Sequence, residues 1–320
     1  MATGEQIKAL ISAHFDQDNE RFKSAALRIA ASEARSGHAN LGQEITAMVD
    51  ASKNSRNNVI NLANKDNLFL VSFPETRLDD LVVSNDVHDK LVQVLAEYRQ
   101  RDKLAEYGLS CRRKLLLEGL PGTGKTMTAS VLAGELHLPL FVVQIDKLIT
   151  KYLGETSARL RQIFETISTN RAVYLFDEFD AIGADRSRDN EVGEMRRILN
   201  SFLQFIEADS SESLILAATN NKQILDQALF RRFDDVLHYS LPTVDEVKQI
   251  VRRLTGSYDP AFALDDSAAA NLSQLCQADI THICQDAIKA SLLSGVPLSN
   301  ELFVKLCDDR LAIYDAKEAI

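Results

Sequence analysis

Clustered cysteines are missing from this chain, and with them the chemistry that depends on such clusters. The four cysteines, at positions 111, 276, 284 and 307, form no C-x-x-C pair and are scattered along the chain. This usage indicates neither a disulfide framework nor a zinc site. It fits a protein of the reducing cytoplasm.

Long apolar runs are missing as well. No stretch approaches the ~18 consecutive apolar residues of a membrane-spanning helix. The opening MATGEQIKAL lacks the basic-then-apolar order of a secretory signal. We therefore expect a soluble, cytoplasmic protein with no membrane partner.

The sequence also lacks a surplus of positive charge. The sequence has 36 basic against 46 acidic residues, which gives a net charge of −10. A negative protein repels nucleic acid and acidic membranes at long range. We expect a protein partner rather than a nucleic acid.

The residue patterns divide the chain into four segments. Residues 1–52 have apolar positions at helical spacing and predict a small all-α N-terminal domain that recruits a partner, and residues 53–72 are rich in Asn, Ser and Lys and predict a linker. Residues 73–242 alternate strand-length apolar runs with helical stretches, which predicts an α/β domain. Residues 243–320 lose the strand signal and predict a helical lid.

Five apolar runs in the third segment predict parallel strands. Their bounds are 114–117, 140–144, 172–176, 214–218 and 236–240. Shortly after the last run, Thr243 and Glu246 have the spacing of a capping box, which predicts the start of the first lid helix.

A glycine-rich segment follows the first of these strands. The sequence GLPGTGKT at 119–126 matches G-x-x-x-x-G-K-[ST] between an apolar run and a helix-like run. Backbone N–H groups of such a loop wrap phosphates, Lys125 is expected to reach the β and γ phosphates, and Thr126 offers a hydroxyl to Mg²⁺. A flexible glycine loop is the alternative interpretation. The residues predicted to bind ATP here are Pro121, Gly122, Thr123, Gly124, Lys125, Thr126 and Met127.

Polar residues end two other predicted strands. Asp177 is expected to bind Mg²⁺, and Glu178 to orient and polarise the attacking water, because phosphoryl transfer depends on positioning and charge stabilisation. Asn220 can hydrogen-bond that water or the γ-phosphate. Alone, these residues are typical of solvated turns; the glycine-rich loop upstream favours the catalytic interpretation.

Two adjacent arginines, Arg231 and Arg232, precede the last predicted strand. Arginine suits the neutralisation of charge on a transferring phosphoryl group. A solvated face is the alternative for such a pair.

The segments GLPGTGKT, VYLFDEFDAIG, ILAATNN and LDQALFRRFDD resemble Walker A, Walker B, sensor 1 and the second region of homology of AAA ATPases. The resemblance implies a P-loop sheet of order 5-1-4-3-2, a ring of usually six subunits, and ATP sites between neighbours. Arg231 and Arg232 would then reach the adjacent subunit's nucleotide. Their adjacency is similar to that in the microtubule-severing branch, and which of them is the main finger stays open.

Two more segments resemble features of this family. Lys151-Tyr-Leu-Gly-Glu155 is similar to the first pore loop, which implies that Tyr152 grips a polypeptide threaded through the ring. In the lid, Gln277-Ala-Asp-Ile280 resembles the Gly-Ala-Asp segment that approaches adenine, with Gln in place of Gly. The resemblance implies a nucleotide contact at Ala278.

At finer grain, the chain resembles compact bacterial AAA ATPases that are encoded beside a subtilisin-like serine protease, in pairs implicated in defence against phages and plasmids. No G-x-S-x-G context occurs in this sequence. Any proteolysis would therefore belong to a partner.

Three functions remain open on the sequence. The first is an ATP-driven protein remodeller or unfoldase that acts as a homohexameric ring. The second is a nucleic-acid loader or initiator on the same fold, which the acidic balance and the aromatic pore loop disfavour. The third is a nucleotide-dependent scaffold, which the full set of catalytic residues disfavours.

Overall fold

A computed structural model of the chain describes residues 8, 10–12, 19–35, 38, 41, 43–46, 67–148, 153–179, 189–220 and 230–318. The chain separates into two units, Met1–Asp66 and Asn67–Ile320. None of the described helices is both long enough and apolar enough to cross a membrane.

The first unit contains helix α1, Asn19–Arg35. Its Ala26 and Ala30 are buried, and Glu33 accepts a hydrogen bond from His38 Nδ1 at 2.8 Å. The described residues near 10 and 44 are also helical, as the periodicity predicts. A separate N-terminal domain over 1–52 stays a prediction, and its positions Ile7 and Met48 lie outside the described residues.

The second unit is built on a six-stranded mixed sheet of order β1-β3-β4-β5-β2-β6. Strands β2 to β6 are parallel to one another, and they match the five predicted apolar runs to within two residues, in the order that the resemblance implies. The strands are β1 Phe69–Ser72, β2 Lys114–Gly119, β3 Leu140–Val143, β4 Val173–Phe176, β5 Leu214–Thr219 and β6 Asp235–Tyr239.

The prediction of a sheet with five parallel strands is wrong in one respect, because β1 adds a sixth, antiparallel strand. It pairs with the edge of β3, with Phe69 opposite Val143. The predicted linker, 53–72, therefore ends inside the sheet. Its sequence, Phe69-Leu-Val-Ser72, is apolar at three of four positions, yet only Phe69 is fully buried and Leu70 is 60% exposed.

Helices cover both faces of this sheet. They are α2 Asn85–Arg99, α3 Arg101–Glu106, α4 Lys125–Leu136, α5 Ile145–Leu148, α6 Leu153–Thr169 and α7 Asp189–Ala208. On one face, apolar residues of α2 and α4 pack with Leu115 and Leu117 of β2 in one buried cluster. On the other face, Phe164 of α6 and Phe202 of α7 pack on Phe176 of β4. The central strands are thus buried on both sides, as parallel strands of α/β domains are.

The C-terminal helices form the predicted lid, with an apolar core of their own. They are α8 Val244–Thr255, α9 Asp266–Leu272, α10 Gln277–Ser294 and α11 Asn300–Glu318. The predicted capping box starts α8: Thr243 N donates to Glu246 Oε2 at 3.0 Å, and Glu246 N donates to Thr243 Oγ1 at 3.3 Å. Gly295, with φ of 69°, ends α10 in the left-handed conformation that glycine adopts most readily.

Candidate nucleotide-binding site

The glycine-rich loop connects β2 to the N-terminus of α4, which is the arrangement that exposes free backbone N–H groups to an anion. Gly122 and Gly124 have φ of 75° and 103°, conformations that side-chain-bearing residues rarely adopt. Thr123 is fully buried, and its hydroxyl donates to Leu120 O at 2.7 Å. This hydrogen bond joins two residues of the loop and stabilises its turn.

Close packing also requires two of the glycines. A Cβ at Gly119 would lie 2.4 Å from Tyr239 O, and a Cβ at Gly122 would lie 2.5 Å from Cys276 Sγ. The first contact sets the loop against β6, and the second sets it against the lid. The backbone N–H of Ala278 completes the second contact by donating to Gly122 O at 3.0 Å.

Lys125 is the buried cation of the loop, with only 6% of its surface exposed. Its Nζ donates to Gly119 O at 2.7 Å and to Leu120 O at 2.8 Å. A buried ammonium group needs such partners, because burial without hydrogen bonds would be costly. The side chain is therefore already held at the loop where a phosphate would bind.

A hydroxyl and a carboxylate meet beside this lysine. Thr126 Oγ1 donates to Asp177 Oδ2 at 2.6 Å, which joins the start of α4 to the end of β4. Protein Mg²⁺ sites commonly use one or two carboxylates together with substrate phosphates. These oxygens fit that donor set, and the described residues contain no cluster of three or more His, Cys, Asp or Glu for a metal site built from protein ligands alone.

Glu178 has an unusual backbone conformation, with φ of 50°. Its N–H donates to Asp177 Oδ1 at 2.9 Å, and the next residue, Phe179, is buried with its ring 4.4 Å from that of Phe202. A left-handed non-glycine residue persists only where its surroundings hold it, and such residues concentrate at functional sites. The backbone of the exposed residue Glu178 is thus held on both sides.

These residues line one cavity of about 360 Å³, a size typical of small-molecule sites. Ten of its lining residues are predicted site residues, namely Pro121, Gly122, Gly124, Lys125, Thr126, Met127, Asp177, Glu178, Asn220 and Ala278. The Thr123 side chain is not among the lining residues. Its contribution to nucleotide binding stays a prediction that would rest on its backbone N–H.

Two lining residues that were not predicted, Gln277 and Thr281, come from α10 of the lid. Gln277 Nε2 donates to Ser240 O at 3.4 Å, while its Oε1 is buried with no hydrogen-bond partner among the described residues. Gln277 lies in the segment that resembles the family's Gly-Ala-Asp, directly before the predicted contact Ala278. Thr281 lies one helical turn further on, and only the folded lid brings it to the cavity.

The paired arginines are not among the residues that line this cavity. Arg231 is exposed, and Arg232 Nε lies 3.1 Å from Glu207 Oε2 in a partly exposed ion pair. Neither guanidinium group is therefore placed at the nucleotide site of its own chain. Tyr152 lies outside the described residues.

Comparison with known proteins identifies the family of this chain. The family model described as "ATPase family associated with various cellular activities (AAA)" matches residues 115–241, from β2 to the end of β6. A AAA family ATPase of Sinorhizobium fredii, y4kL, is 34% identical over 92% of this chain and 90% of its own. The chain therefore belongs to the AAA family of ATPases, binds nucleotide and hydrolyses ATP.

Two further relatives match this chain over only part of their own length. A putative 26S proteasome regulatory subunit homolog of Methanothermobacter thermautotrophicus is 31% identical over 65% of this chain and 56% of its own. The ATP-dependent zinc metalloprotease FtsH 3 of Sphaerobacter thermophilus is 31% identical over 72% of this chain and 48% of its own. This chain thus spans about half the length of these two proteins.

Proposed function

We propose that this chain is an ATP-driven protein remodeller or unfoldase that works as a ring, in which each ATP site is completed by the neighbouring subunit. One observation carries the proposal. The cavity gathers Lys125, Asp177, Glu178 and Asn220 but not Arg231 or Arg232. An arginine that neutralises transition-state charge accelerates phosphoryl transfer. A second copy of the chain would supply that arginine.

Within one subunit, the loop would bind the phosphates through its backbone N–H groups. Lys125 would turn its Nζ from the carbonyl oxygens of Gly119 and Leu120 toward the β and γ phosphates, a small movement because the group already lies in the loop. Thr126 and Asp177 would hold Mg²⁺, which when bound would neutralise phosphate charge. Glu178 would orient the attacking water, and Asn220 would hydrogen-bond that water or the γ-phosphate.

The arginines would act on the adjacent subunit's nucleotide. Arg232 now pairs with Glu207, whose side chain is 63% exposed, and this pair is weak because solvent screens it. Assembly can therefore exchange Glu207 for a phosphate at little cost. A homohexamer is the form that the family resemblance implies.

A polypeptide is the proposed substrate. The names of two relatives, which match this chain over about half of their own length, associate them with a proteasome and with an ATP-dependent metalloprotease. Tyr152, in KYLGE, would grip the threaded chain by aromatic surface, which is tolerant of sequence. The N-terminal segment 1–52 would recruit the substrate or a partner.

The partner that we propose is a subtilisin-like serine protease in a bacterial defence pair, acting in the cytoplasm. The proposal rests on the resemblance to compact bacterial AAA ATPases. This sequence contains neither G-x-S-x-G nor H-E-x-x-H, so the proteolytic step would be carried out by the other polypeptide.

The test is a substrate trap. Glu178→Gln should bind ATP without turnover and should retain a protein that wild type subsequently remodels. Lys125→Ala is the control, because it should fail to bind ATP and to retain the protein. Recovery of nucleic acid in place of protein would favour a loader. If wild type hydrolysed ATP only slowly in the presence of each recovered protein, a scaffold would be favoured.

A further inference from the structure

The first turn of α10 packs directly on the phosphate-binding loop. Ala278 N–H donates to Gly122 O at 3.0 Å, and Gly122 leaves no room for a Cβ beside Cys276 Sγ. Gln277 and Ala278 then line the nucleotide cavity. The width of the cavity therefore depends on what holds this turn in place.

Asp279, in the same turn, is only 5% exposed and receives hydrogen bonds on both oxygens. Arg310 donates to Oδ1 from Nε at 2.8 Å, with its Nη2 2.7 Å from the same oxygen. Tyr314 Oη donates to Oδ2 at 2.9 Å, and Cys276 Sγ donates to the same oxygen at 3.1 Å. Burial alone would raise the pKa of Asp279, but the hydrogen bonds from Cys276, Arg310 and Tyr314 hold it below its usual value.

The two outer donors come from α11, the last helix of the chain. Arg310 and Tyr314 are four residues apart, so they lie on the same helix face. Cys307, one turn before Arg310, and Phe303, two turns before it, are fully buried in the lid core. The lid core thus fixes α11, and α11 in turn holds the first turn of α10 through hydrogen bonds to the Asp279 carboxylate.

Cys276 connects this carboxylate to the loop. Its thiol donates to Asp279 while its sulfur lies against the Cα of Gly122. Burial, and then the hydrogen bond to Asp279, raises the pKa of this thiol, so it stays a neutral donor at physiological pH. Each of these residues contacts the next, from Arg310 and Tyr314 through Asp279 and Cys276 to Gly122.

We propose that Arg310 and Tyr314 are positioning residues for nucleotide binding, which act through Asp279 and Cys276 to hold the first turn of α10 against the phosphate-binding loop. Neither residue lines the nucleotide cavity. Their loss should therefore weaken nucleotide binding and raise KM for ATP while leaving kcat nearly unchanged. Removing the cationic partner of a buried carboxylate is costly, since the remaining charge stays buried.

The experiment compares Arg310→Gln, Arg310→Lys and Tyr314→Phe with Ile313→Ala, a matched control on the same helix whose side chain is 51% exposed. Kd for a fluorescent ATP analogue and the KM and kcat of ATP hydrolysis are measured for each. We expect Arg310→Gln to raise Kd and KM about tenfold, with kcat within about twofold, because hydrogen bonds to charged groups are among the stronger ones. Arg310→Lys should restore part of the affinity.

Tyr314→Phe keeps the proposal testable if Arg310→Gln does not fold. It removes one hydroxyl from a side chain that is 43% exposed, so folding should be preserved, and we expect about a threefold rise in Kd. Thermal melting confirms the fold of each variant. Nucleotide affinities equal to those of Ile313→Ala in the folded variants would overturn the proposal, without bearing on whether the ring remodels proteins.

Discussion

The backbone conformation of Glu178 bears directly on its proposed catalytic role. Its φ of 50° turns the chain sharply after β4, so that Asp177 and Glu178 can both face the cavity although they are adjacent. The hydrogen bond from Glu178 N to Asp177 Oδ1 and the burial of Phe179 hold this turn. The backbone of the residue that would orient water is thus fixed by its neighbours, which limits where its carboxylate can lie.

Lys125 and Glu178 should separate binding from turnover. Lys125→Ala should abolish nucleotide binding, because it removes the cation at the phosphates, whereas Glu178→Gln should keep binding and lose at least ~10²-fold in rate, the low end for positioned acid or base groups. Equilibrium binding of a fluorescent ATP analogue and phosphate release measure the two effects. Equal ATP affinity of Lys125→Ala and wild type would contradict the assignment of the loop.

At the scale of elements, the capping box of α8 offers a test of how the lid begins. Thr243→Ala removes the acceptor for Glu246 N and should destabilise the protein by about 1 kcal/mol, the usual cost of losing an N-cap. Thr243→Ser keeps the hydroxyl and is the matched control. Urea unfolding followed by circular dichroism gives both values, and an unchanged midpoint for Thr243→Ala would mean that packing alone starts this helix.

The same scale shows which parts of the fold can be predicted from sequence. Strands β2 to β5 each contain a short, mostly buried apolar run, and β6 contains a partly buried one, so this signal is local. β1 is not predicted, although its sequence FLVS is apolar, because it ends the polar stretch interpreted as a linker and joins the sheet only by pairing with β3, which lies far along the chain. Pairing between distant segments leaves little trace in composition.

The site follows the same division. Residues 119–126 are contiguous, so their motif predicts the loop completely, and the carboxylates at the end of β4 follow from the strand itself. Thr281 and the contacts of Arg310 and Tyr314 to Asp279 are not predicted, because they arise only when the lid packs on the loop and α11 packs on α10. Tertiary packing, rather than spacing, brings these residues to their contacts.

For the whole molecule, activity should depend on assembly, because Arg231 and Arg232 do not line the cavity of their own chain. ATPase activity per subunit should rise with protein concentration and reach a plateau. Mixing Lys125→Ala with Arg232→Ala subunits should restore part of the turnover, since the mixed interface combines an intact loop with an intact arginine. Constant activity down to dilutions at which light scattering reports monomers would exclude arginines that act between subunits.

Mechanical work should be separable from hydrolysis at Tyr152. The segment KYLGE resembles the substrate-gripping loop of related rings, and Tyr152 is proposed to play that part here. Tyr152→Ala should leave basal ATPase largely intact and abolish unfolding of a captured substrate, because an aromatic face grips varied chains through buried area. Tyr152→Phe keeps the ring and is the matched control. Substrate unfolding and phosphate release are measured in the same reaction, and undiminished unfolding by Tyr152→Ala would rule out threading by this residue.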